Sequence, residues 1–220
     1  MDVLTGSVHM IRIGLTGGIG SGKSEVRSFL EAMGAVVFDA DSQAKASMVE
    51  DREVVNRLSD ILGREAYQAD GSLNKSFISE RIFADADLRE KVNSVVHPAV
   101  FARFEEAAKQ AQSAGAPAIV REAALLPAPV WRDSLDVLVA VLAPKSLRLE
   151  RAMVRDGASL SEIESRMDAQ PDEEVYRAVA DVLVVNDSGL QDLKSKVEAF
   201  WSDLISQAPD GSDSRSGADG

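Results

Sequence analysis

A glycine-rich run near the start of the chain has the residue types and the spacing of a phosphate-binding loop. It reads Gly17-Gly18-Ile19-Gly20-Ser21-Gly22-Lys23-Ser24 and fits the Walker A pattern. Glycines let backbone N–H groups approach phosphate oxygens closely, and the helix that follows adds the positive end of its dipole. We therefore predict that residues 17–24, the phosphate loop, bind ATP. Lys23 would reach the β- and γ-phosphates, and the Ser24 hydroxyl would ligate Mg²⁺.

Two carboxylates follow the second apolar run of the sequence, in Asp39-Ala40-Asp41. Parallel strands end at the ligand-binding edge of a sheet, and in extended chain the spacing i, i+2 places both carboxylates on one side. One carboxylate could support Mg²⁺ through water, and the other could accept the proton of an attacking hydroxyl. The alternative is a solvated turn that caps a helix.

A local excess of positive charge stands out in the second half of the chain. Between Lys145 and Arg155 there are four basic residues and one acidic residue. Arg148, Arg151 and Arg155 share one helix face, because their spacing is i, i+3, i+7. Such a face could close over phosphates, or it could be an ordinary solvated surface. The pair Asp156-Gly157 would break this helix, as a mobile lid requires.

Several single residues carry weaker signals. Asn186 follows the last apolar run and could meet a nucleotide base. Glu122 follows the third run, where a lone carboxylate says little. His97-Pro98 could start a helix with proline at its first position. Trp131 and Trp201 are expected to pack rather than bind a base.

The elements around these residues alternate between strands and helices. Apolar strands are predicted at 11–16, 35–38, 118–120, 137–142 and 182–185. Helices are predicted after Lys23, at 145–156, at 159–170 and at 190–205, with further helical patterns throughout 42–114. The first of these helices has an apolar face of Val26, Phe29, Leu30 and Met33, and Gly34 would end it. Strand, glycine loop, helix and strand form a βαβ unit, which implies a parallel sheet.

The predicted fold is therefore α/β, a parallel sheet of the P-loop NTPase type with helices on both faces. A single domain spans 10–205. Its core comprises 10–41, 115–144 and 180–205, its helical insertion about 42–114, and its lid about 145–179. Residues 1–9 and 208–220 are expected to be disordered tails.

Composition excludes several classes of function. The 220 residues carry a net charge of −12, so neither nucleic acid nor an anionic membrane is an expected partner. The absence of cysteine excludes disulfides, thiolate catalysis and cysteine-ligated metals. No run approaches the roughly 18 apolar residues of a membrane span, and the start of the chain lacks signal-peptide features. We expect a cytoplasmic protein, either a monomer or a small homo-oligomer.

The sequence resembles the dephospho-coenzyme A kinase family over about residues 10–200. Residues 13–24 are similar to that family's opening almost throughout, and Asp39-Ala40-Asp41 follows at the family's distance. Further similarities occur in order along the chain, at Arg81-Ile82-Phe83, His97-Pro98, Asp136, Arg151, Arg155-Asp156, Arg166, Gln170, Ala180-Asp181, Asn186 and Gly189.

This resemblance implies transfer of the γ-phosphate of ATP to the ribose 3′-hydroxyl of dephospho-coenzyme A, with Mg²⁺ as cofactor. It implies that Asp41 orients or deprotonates the hydroxyl, and that Lys23 and Arg155 stabilise the transferring phosphoryl group. Arg81 and His97 would lie toward the acceptor together with Asp41. ATP would also contact Arg151 and Asn186, and Asp39 would join Ser24 at the metal. The implied fold has a nucleotide-binding core, a helical acceptor-substrate domain and a lid.

One segment departs from the family. Where the family has Pro-Leu-Leu-Phe-Glu after the third strand, this chain has alanines at 124 and 128 and a proline at 127. The chain therefore has no counterpart of that glutamate in this segment. Glu25 also replaces the usual threonine after Ser24, with no expected effect on Mg²⁺.

Other classes fit less well. A shikimate kinase would carry a second glycine-rich triplet, but Gly17-Gly18 is the only Gly-Gly pair. A GTPase switch would need Asn-Lys-x-Asp, whereas Asn74-Lys75 continues with Ser76-Phe77. An inactive relative that only binds nucleotide gains no support, because Lys23, Ser24 and Asp41 are all present.

Overall fold

The computed structural model describes residues 10–123 and 129–207 and divides them into two compact units. One unit contains the described residues up to 37 and from 109 onward, and the other contains residues 38–108. The predicted tails at 1–9 and 208–220 lie outside the described residues, as does the unusual segment 124–128.

The sheet has five strands in the order β2-β3-β1-β4-β5. Their bounds are β1 Ile11–Thr16, β2 Val36–Asp39, β3 Ala118–Glu122, β4 Val137–Leu142 and β5 Val182–Val185. β1 pairs in parallel with both β3 and β4, and β4 pairs in parallel with β5. The five predicted strands are thus confirmed within two residues at their ends. β1 is the central strand, so the loop that follows it emerges between the ends of β3 and β4.

Ten α-helices occur among the described residues, and none is long and apolar enough to cross a membrane. They are α1 Lys23–Ala32, α2 Ala40–Glu50, α3 Arg52–Leu62, α4 Lys75–Ala84, α5 Ala86–Ser113, α6 Pro129–Arg132, α7 Lys145–Asp156, α8 Leu160–Asp168, α9 Glu173–Val179 and α10 Leu190–Gln207.

Helices cover both faces of the sheet in the first unit, as predicted. Alternate strand residues point to opposite faces. On one face, Leu15 and Val139 share an apolar cluster with Leu30 of α1 and Val197 of α10. On the other face, Ala140 and Leu142 of β4 contact Tyr176 of α9. Truncation of a fully buried side chain such as Leu30 to alanine would cost about 2–5 kcal/mol.

The unit of residues 38–108 is built from helices, as the sequence pattern predicts. Val54, Leu58 and Leu62 form the buried stripe of α3. The rings of Phe38 and Phe104 meet edge to face with centroids 5.3 Å apart. This unit therefore has apolar contacts of its own.

Two local predictions are wrong. The extended spacing proposed for Asp39 and Asp41 does not exist, because α2 begins at Ala40 and Asp41 lies in its first turn. Asp39 is the N-cap, and its side chain accepts the backbone N–H of Ser42. Pro98 does not start a helix, because it lies inside α5.

The break after α7 is confirmed. Gly157 adopts the left-handed conformation, with φ of 61°, and its N–H donates to Met153. α8 then begins with a capping box in which Ser159 and Glu162 exchange side-chain and backbone hydrogen bonds. The sequence 156–160 therefore specifies a sharp turn between two helices.

Candidate active site

The phosphate loop lies in close contact with the strands and helices around it. Gly17 has φ of 148°, and a Cβ at this position would collide with the carbonyl oxygen of Val141 in β4. Gly22 has φ of 104°, and a Cβ there would collide with the side-chain amide of Asn186. Both positions therefore require glycine for conformation and for space.

Lys23 folds back over the phosphate loop from the first position of α1. Its Nζ donates to the carbonyl oxygen of Gly17 over 2.6 Å and to that of Gly18 over 3.2 Å. The ammonium group is thus held beside the loop carbonyls. Ser24, the next residue, is exposed at the N-terminus of the same helix.

Asn186 connects the end of β5 to the phosphate loop. Its side chain is buried, and its Nδ2 donates to the carbonyl oxygen of Ser21 over 2.8 Å. Arg151 of α7 donates to both the backbone oxygen and the side-chain oxygen of Asn186, over 3.3 and 3.4 Å. The predicted base-binding asparagine therefore has its amide engaged with the loop and with α7.

The arginine face of α7 is directed toward the phosphate loop. Arg148 Nε donates to the carbonyl oxygen of Ile19 over 3.1 Å, and Arg151 and Arg155 line a cavity beside the loop. Arg155 also donates two hydrogen bonds to the neighbouring Asp156, over 2.7 and 3.0 Å. These bonds lower the pKa of Asp156 and raise the pKa of Arg155.

Asp156 has a second cationic partner in Arg166 of α8. Arg166 Nη1 lies 3.1 Å from Asp156 Oδ2, the oxygen that also accepts from Arg155. The carboxylate therefore joins the end of α7 to α8. Its side chain is 21% exposed, whereas that of Arg155 is 62% exposed and has access to solvent beside the cavity.

A cavity of about 860 Å³ lies against the phosphate loop. This volume is within the range of small-molecule sites. Its lining combines loop amides, two arginines, carboxylates and several apolar side chains. The lining residues are Ile19 to Glu25, Glu122, Leu147, Glu150, Arg151, Val154, Arg155, Gln170, Asn186, Ser188, Leu190 and Leu193.

Glu122 at the end of β3 lines the cavity, although its signal in the sequence is weak. Its side chain is 14% exposed and pairs with Arg27 of α1 over 3.0 Å. The cavity is also lined by Glu25, Glu150 and Ser24, and carboxylate and hydroxyl oxygens are the ligand type that Mg²⁺ takes. Within the described ranges, no cluster of three or more histidine, aspartate or glutamate side chains forms a metal cage. A metal that is also held by ATP phosphates fits this small ligand set.

Gln170 is the clearest cavity residue that spacing alone does not reveal. It follows α8, and its Oε1 accepts the backbone N–H of Ile19 over 2.7 Å. The contact joins residues 151 positions apart. Gln170 is also among the positions similar to the family, and that similarity was its only signal in the sequence.

Four predicted site residues belong to the other unit, residues 38–108. Both carboxylate oxygens of Asp39 accept from Ser42. Asp41 is exposed in the first turn of α2. Arg81 is exposed on α4 with its guanidinium 5.6 Å from the ring centroid of Phe77, and His97 is exposed on α5.

Comparison with known proteins agrees with this geometry. The family model described as dephospho-CoA kinase matches residues 11–192. A dephospho-CoA kinase of Salinibacter ruber is 39% identical over 193 residues, which cover 87% of this chain and 97% of that protein.

Two solved structures show the same fold. The structure of TT1252 from Thermus thermophilus has a TM-score of 0.76 at 33% identity, with 89% of this chain and 98% of that chain covered. The dephospho-CoA kinase from Campylobacter jejuni has a TM-score of 0.65 at 20% identity, with 89% and 97% covered, and supports the fold alone. The match to the family model and the 39% identity to the Salinibacter ruber protein are consistent with the phosphate-loop cavity. The chain belongs to the dephospho-CoA kinase family.

Proposed function

We propose that this chain transfers the γ-phosphoryl group of ATP to the ribose 3′-hydroxyl of dephospho-coenzyme A, which yields coenzyme A and ADP. This is the last step of coenzyme A biosynthesis. The observation that carries the proposal is the cavity bounded by the phosphate loop and the arginine face of α7, in a chain of this family. Phosphoryl transfer requires positive charge around the phosphates, and Lys23, Arg151 and Arg155 in the cavity lining carry that charge.

ATP would lie along the cavity with its phosphates on the loop. Val154 and Leu190 support a place for the adenine, because both are apolar cavity residues that are largely exposed, at 82% and 61%. Burial of these side chains by a flat apolar ring would be favourable. Arg151 and Asn186 line the same cavity; Arg151 donates to Asn186, and Asn186 donates to the phosphate loop at Ser21.

Lys23 and Arg155 would stabilise charge on the transferring phosphoryl group. The acceptor oxygen attacks the γ-phosphorus, the bond from that phosphorus to the β–γ bridging oxygen breaks, and the electron pair leaves with ADP. Cations placed where negative charge develops lower the barrier, because they need no reorganisation during the reaction. Arg155 would exchange its contact with Asp156 for one with phosphate.

Mg²⁺ would be held by the Ser24 hydroxyl and the ATP phosphates, with Asp39 and Glu122 as carboxylates that support it through water. When bound, Mg²⁺ supplies positive charge that offsets the charge of the phosphates. Asp39 could accept hydrogen bonds from water on Mg²⁺ while it caps α2, since a carboxylate can accept up to about four hydrogen bonds.

The unit of residues 38–108 would bind dephospho-coenzyme A, and Asp41 would accept the proton of the 3′-hydroxyl. Its position supports this role, because an exposed carboxylate in the first turn of a helix is available to a ligand. Arg81 and His97 would contact the acceptor, and helices α7 to α9 would act as the lid. We propose that the enzyme acts in the cytoplasm, where ATP is available, as a monomer or a small homo-oligomer.

The test is ADP release by the purified chain with ATP, Mg²⁺ and dephospho-coenzyme A. Parallel reactions contain shikimate or no acceptor. Release that requires dephospho-coenzyme A, together with a product carrying one additional phosphate by mass spectrometry, supports the proposal. ATP binding with no release above the control without acceptor would contradict it, and the segment 122–128 would then be the first place to examine.

A further inference from the structure

Ile19 is held on three sides by the chain segment that follows β4. It is the only phosphate-loop residue with a large apolar side chain, and that side chain packs against Ala152, Ile163 and Met167. Its N–H donates to Gln170, and its carbonyl oxygen accepts from Arg148. Ile19 therefore links the phosphate loop to α7, to α8 and to Gln170.

The peptide between Gly18 and Ile19 is fixed at both ends. Its carbonyl oxygen, on Gly18, accepts from Lys23 Nζ over 3.2 Å. Its N–H, on Ile19, donates to Gln170 Oε1 over 2.7 Å. Because the two groups of a peptide point in opposite directions, rotation of this peptide would break both bonds. The orientation that Gln170 imposes is thus the orientation that offers an acceptor to Lys23.

Gln170 is itself held in place. Its backbone N–H donates to Met167 at the end of α8 over 3.0 Å. Its side chain lines the cavity, and within the part of the chain that the structure describes its Nε2 has no hydrogen-bond partner. The bond to Ile19 fixes which end of the amide is the acceptor.

We propose that Gln170 is a positioning residue for the phosphate loop, acting through the Gly18–Ile19 peptide on Lys23. It keeps the loop in the conformation that accepts a triphosphate and couples that conformation to α7, which carries Arg151 and Arg155. This inference rests on the proposed function only in that the loop binds ATP. Neither the identity of the acceptor nor the rate of transfer enters it.

The first test is ATP binding by calorimetry without any acceptor, so that a wrong choice of acceptor cannot affect it. Gln170→Leu removes the hydrogen-bond acceptor at similar size, and we expect the Kd for ATP to rise about three- to tenfold, as loss of one hydrogen bond predicts. Gln112→Leu, at an exposed glutamine of α5, is the matched control and should bind ATP like the wild type. Wild-type affinity in Gln170→Leu would overturn the proposal.

The second test is hydrogen exchange at the Ile19 amide, which reads the contact directly. Gln170→Leu should accelerate exchange at Ile19 without accelerating exchange in β1. Gln170→Glu keeps an acceptor oxygen and should restore protection, although its charge opposes phosphate. Faster exchange at Ile19 with unchanged ATP affinity would reduce Gln170 to a structural role and overturn the proposal.

A double-mutant cycle provides the third test. Ile19→Pro removes the N–H that Gln170 accepts, so the loss of ATP affinity in Ile19→Pro and in the double variant with Gln170→Leu should be equal. Additive losses would contradict a shared contact. If Ile19→Pro does not fold, the calorimetry and exchange measurements decide the question without it.

Discussion

The side-chain amide of Asn186 donates to the carbonyl oxygen of Ser21 over 2.8 Å, in a position where both residues are buried. This bond joins the end of β5 to the middle of the phosphate loop, 165 residues away in sequence. The loop backbone is therefore held from β5 as well as from β1 and α1.

Asn186→Leu should destabilise the protein and weaken ATP binding together. The substitution leaves the carbonyl oxygen of Ser21 buried without this donor, which costs about 1–3 kcal/mol. Urea unfolding and ATP calorimetry measure the two effects. Asn93→Leu, at an exposed asparagine of α5, should change neither. Full ATP affinity in a destabilised Asn186→Leu would show that the bond serves the fold only.

Lys23→Ala should lower kcat by about 100-fold, the scale for removal of a preorganised group at developing charge. The variant should remain folded, because Lys23 is a surface residue of the loop that is only half-buried. Steady-state ADP release and circular dichroism provide the measurements. Lys194→Ala, at a surface lysine of α10 paired with Glu198, is the control. Unchanged affinity and unchanged rate in Lys23→Ala would contradict the whole site assignment.

Asp41→Asn should lower kcat by about 10² or more and leave ATP affinity unchanged, because removal of a general base affects the acceptor and not the nucleotide. The control is Asp87→Asn, at an aspartate in the first turn of another helix, α5, which should change neither kcat nor ATP affinity. The readouts are initial rates at saturating substrates and ATP calorimetry. Wild-type turnover in Asp41→Asn would remove this carboxylate from the mechanism.

Arg155→Ala should lower kcat by about tenfold or more with little change in the unfolding midpoint. The reason is that the Arg155 side chain is 62% exposed, and ion pairs made by exposed side chains contribute little to stability. Arg177→Ala removes a comparable surface pair with Glu173 and should not affect turnover. A loss of stability with normal kcat in Arg155→Ala would support the solvated-surface interpretation of this arginine.

The capping box of α8 should contribute to stability at neutral pH and lose that contribution in acid. Hydrogen bonds from Ser159 lower the pKa of Glu162 below its ordinary value of about 4.3. The contribution is therefore complete above that value and disappears as the pH falls through the lower pKa of the folded state. The difference in thermal unfolding between wild type and Glu162→Gln should be larger at pH 7 than at pH 3. An equal difference at both values would contradict this account.

The phosphate loop and the parallel sheet could be predicted from sequence because their signals are local. Eight consecutive residues define the loop, and near-continuous apolar runs such as 137–142 define the strands. The apolar run before Asp39 favours an extended Asp39-Ala40-Asp41, and the alternative, a turn that caps a helix, is the one that the structure has. Asp39 is also an N-cap with Ser42 three positions later, and that local pattern begins a helix at Ala40.

Pro98 was mispredicted because a proline in a helix interior costs about 3 kcal/mol or more. The buried stripe of α5 continues past the proline, from Val92, Val95 and Val96 to Val100, and its packing stabilises the helix on both sides. The contacts of Gln170 and Asn186 with the loop could not be predicted, because a side chain that bonds to a distant backbone group leaves no periodic pattern.

Asp156 pairs with both Arg155 and Arg166, so Arg155 can leave it without removing its other cationic partner. If Arg155 turns toward a phosphate, Asp156 keeps Arg166 as its partner, at 3.1 Å. The Asp156 carboxylate would therefore keep one cationic partner when Arg155 leaves it. An unpaired negative charge would not remain beside the phosphates of ATP. Because Arg166 already neutralises part of the charge of Asp156, separation of Arg155 from Asp156 costs less electrostatic energy than it would without Arg166.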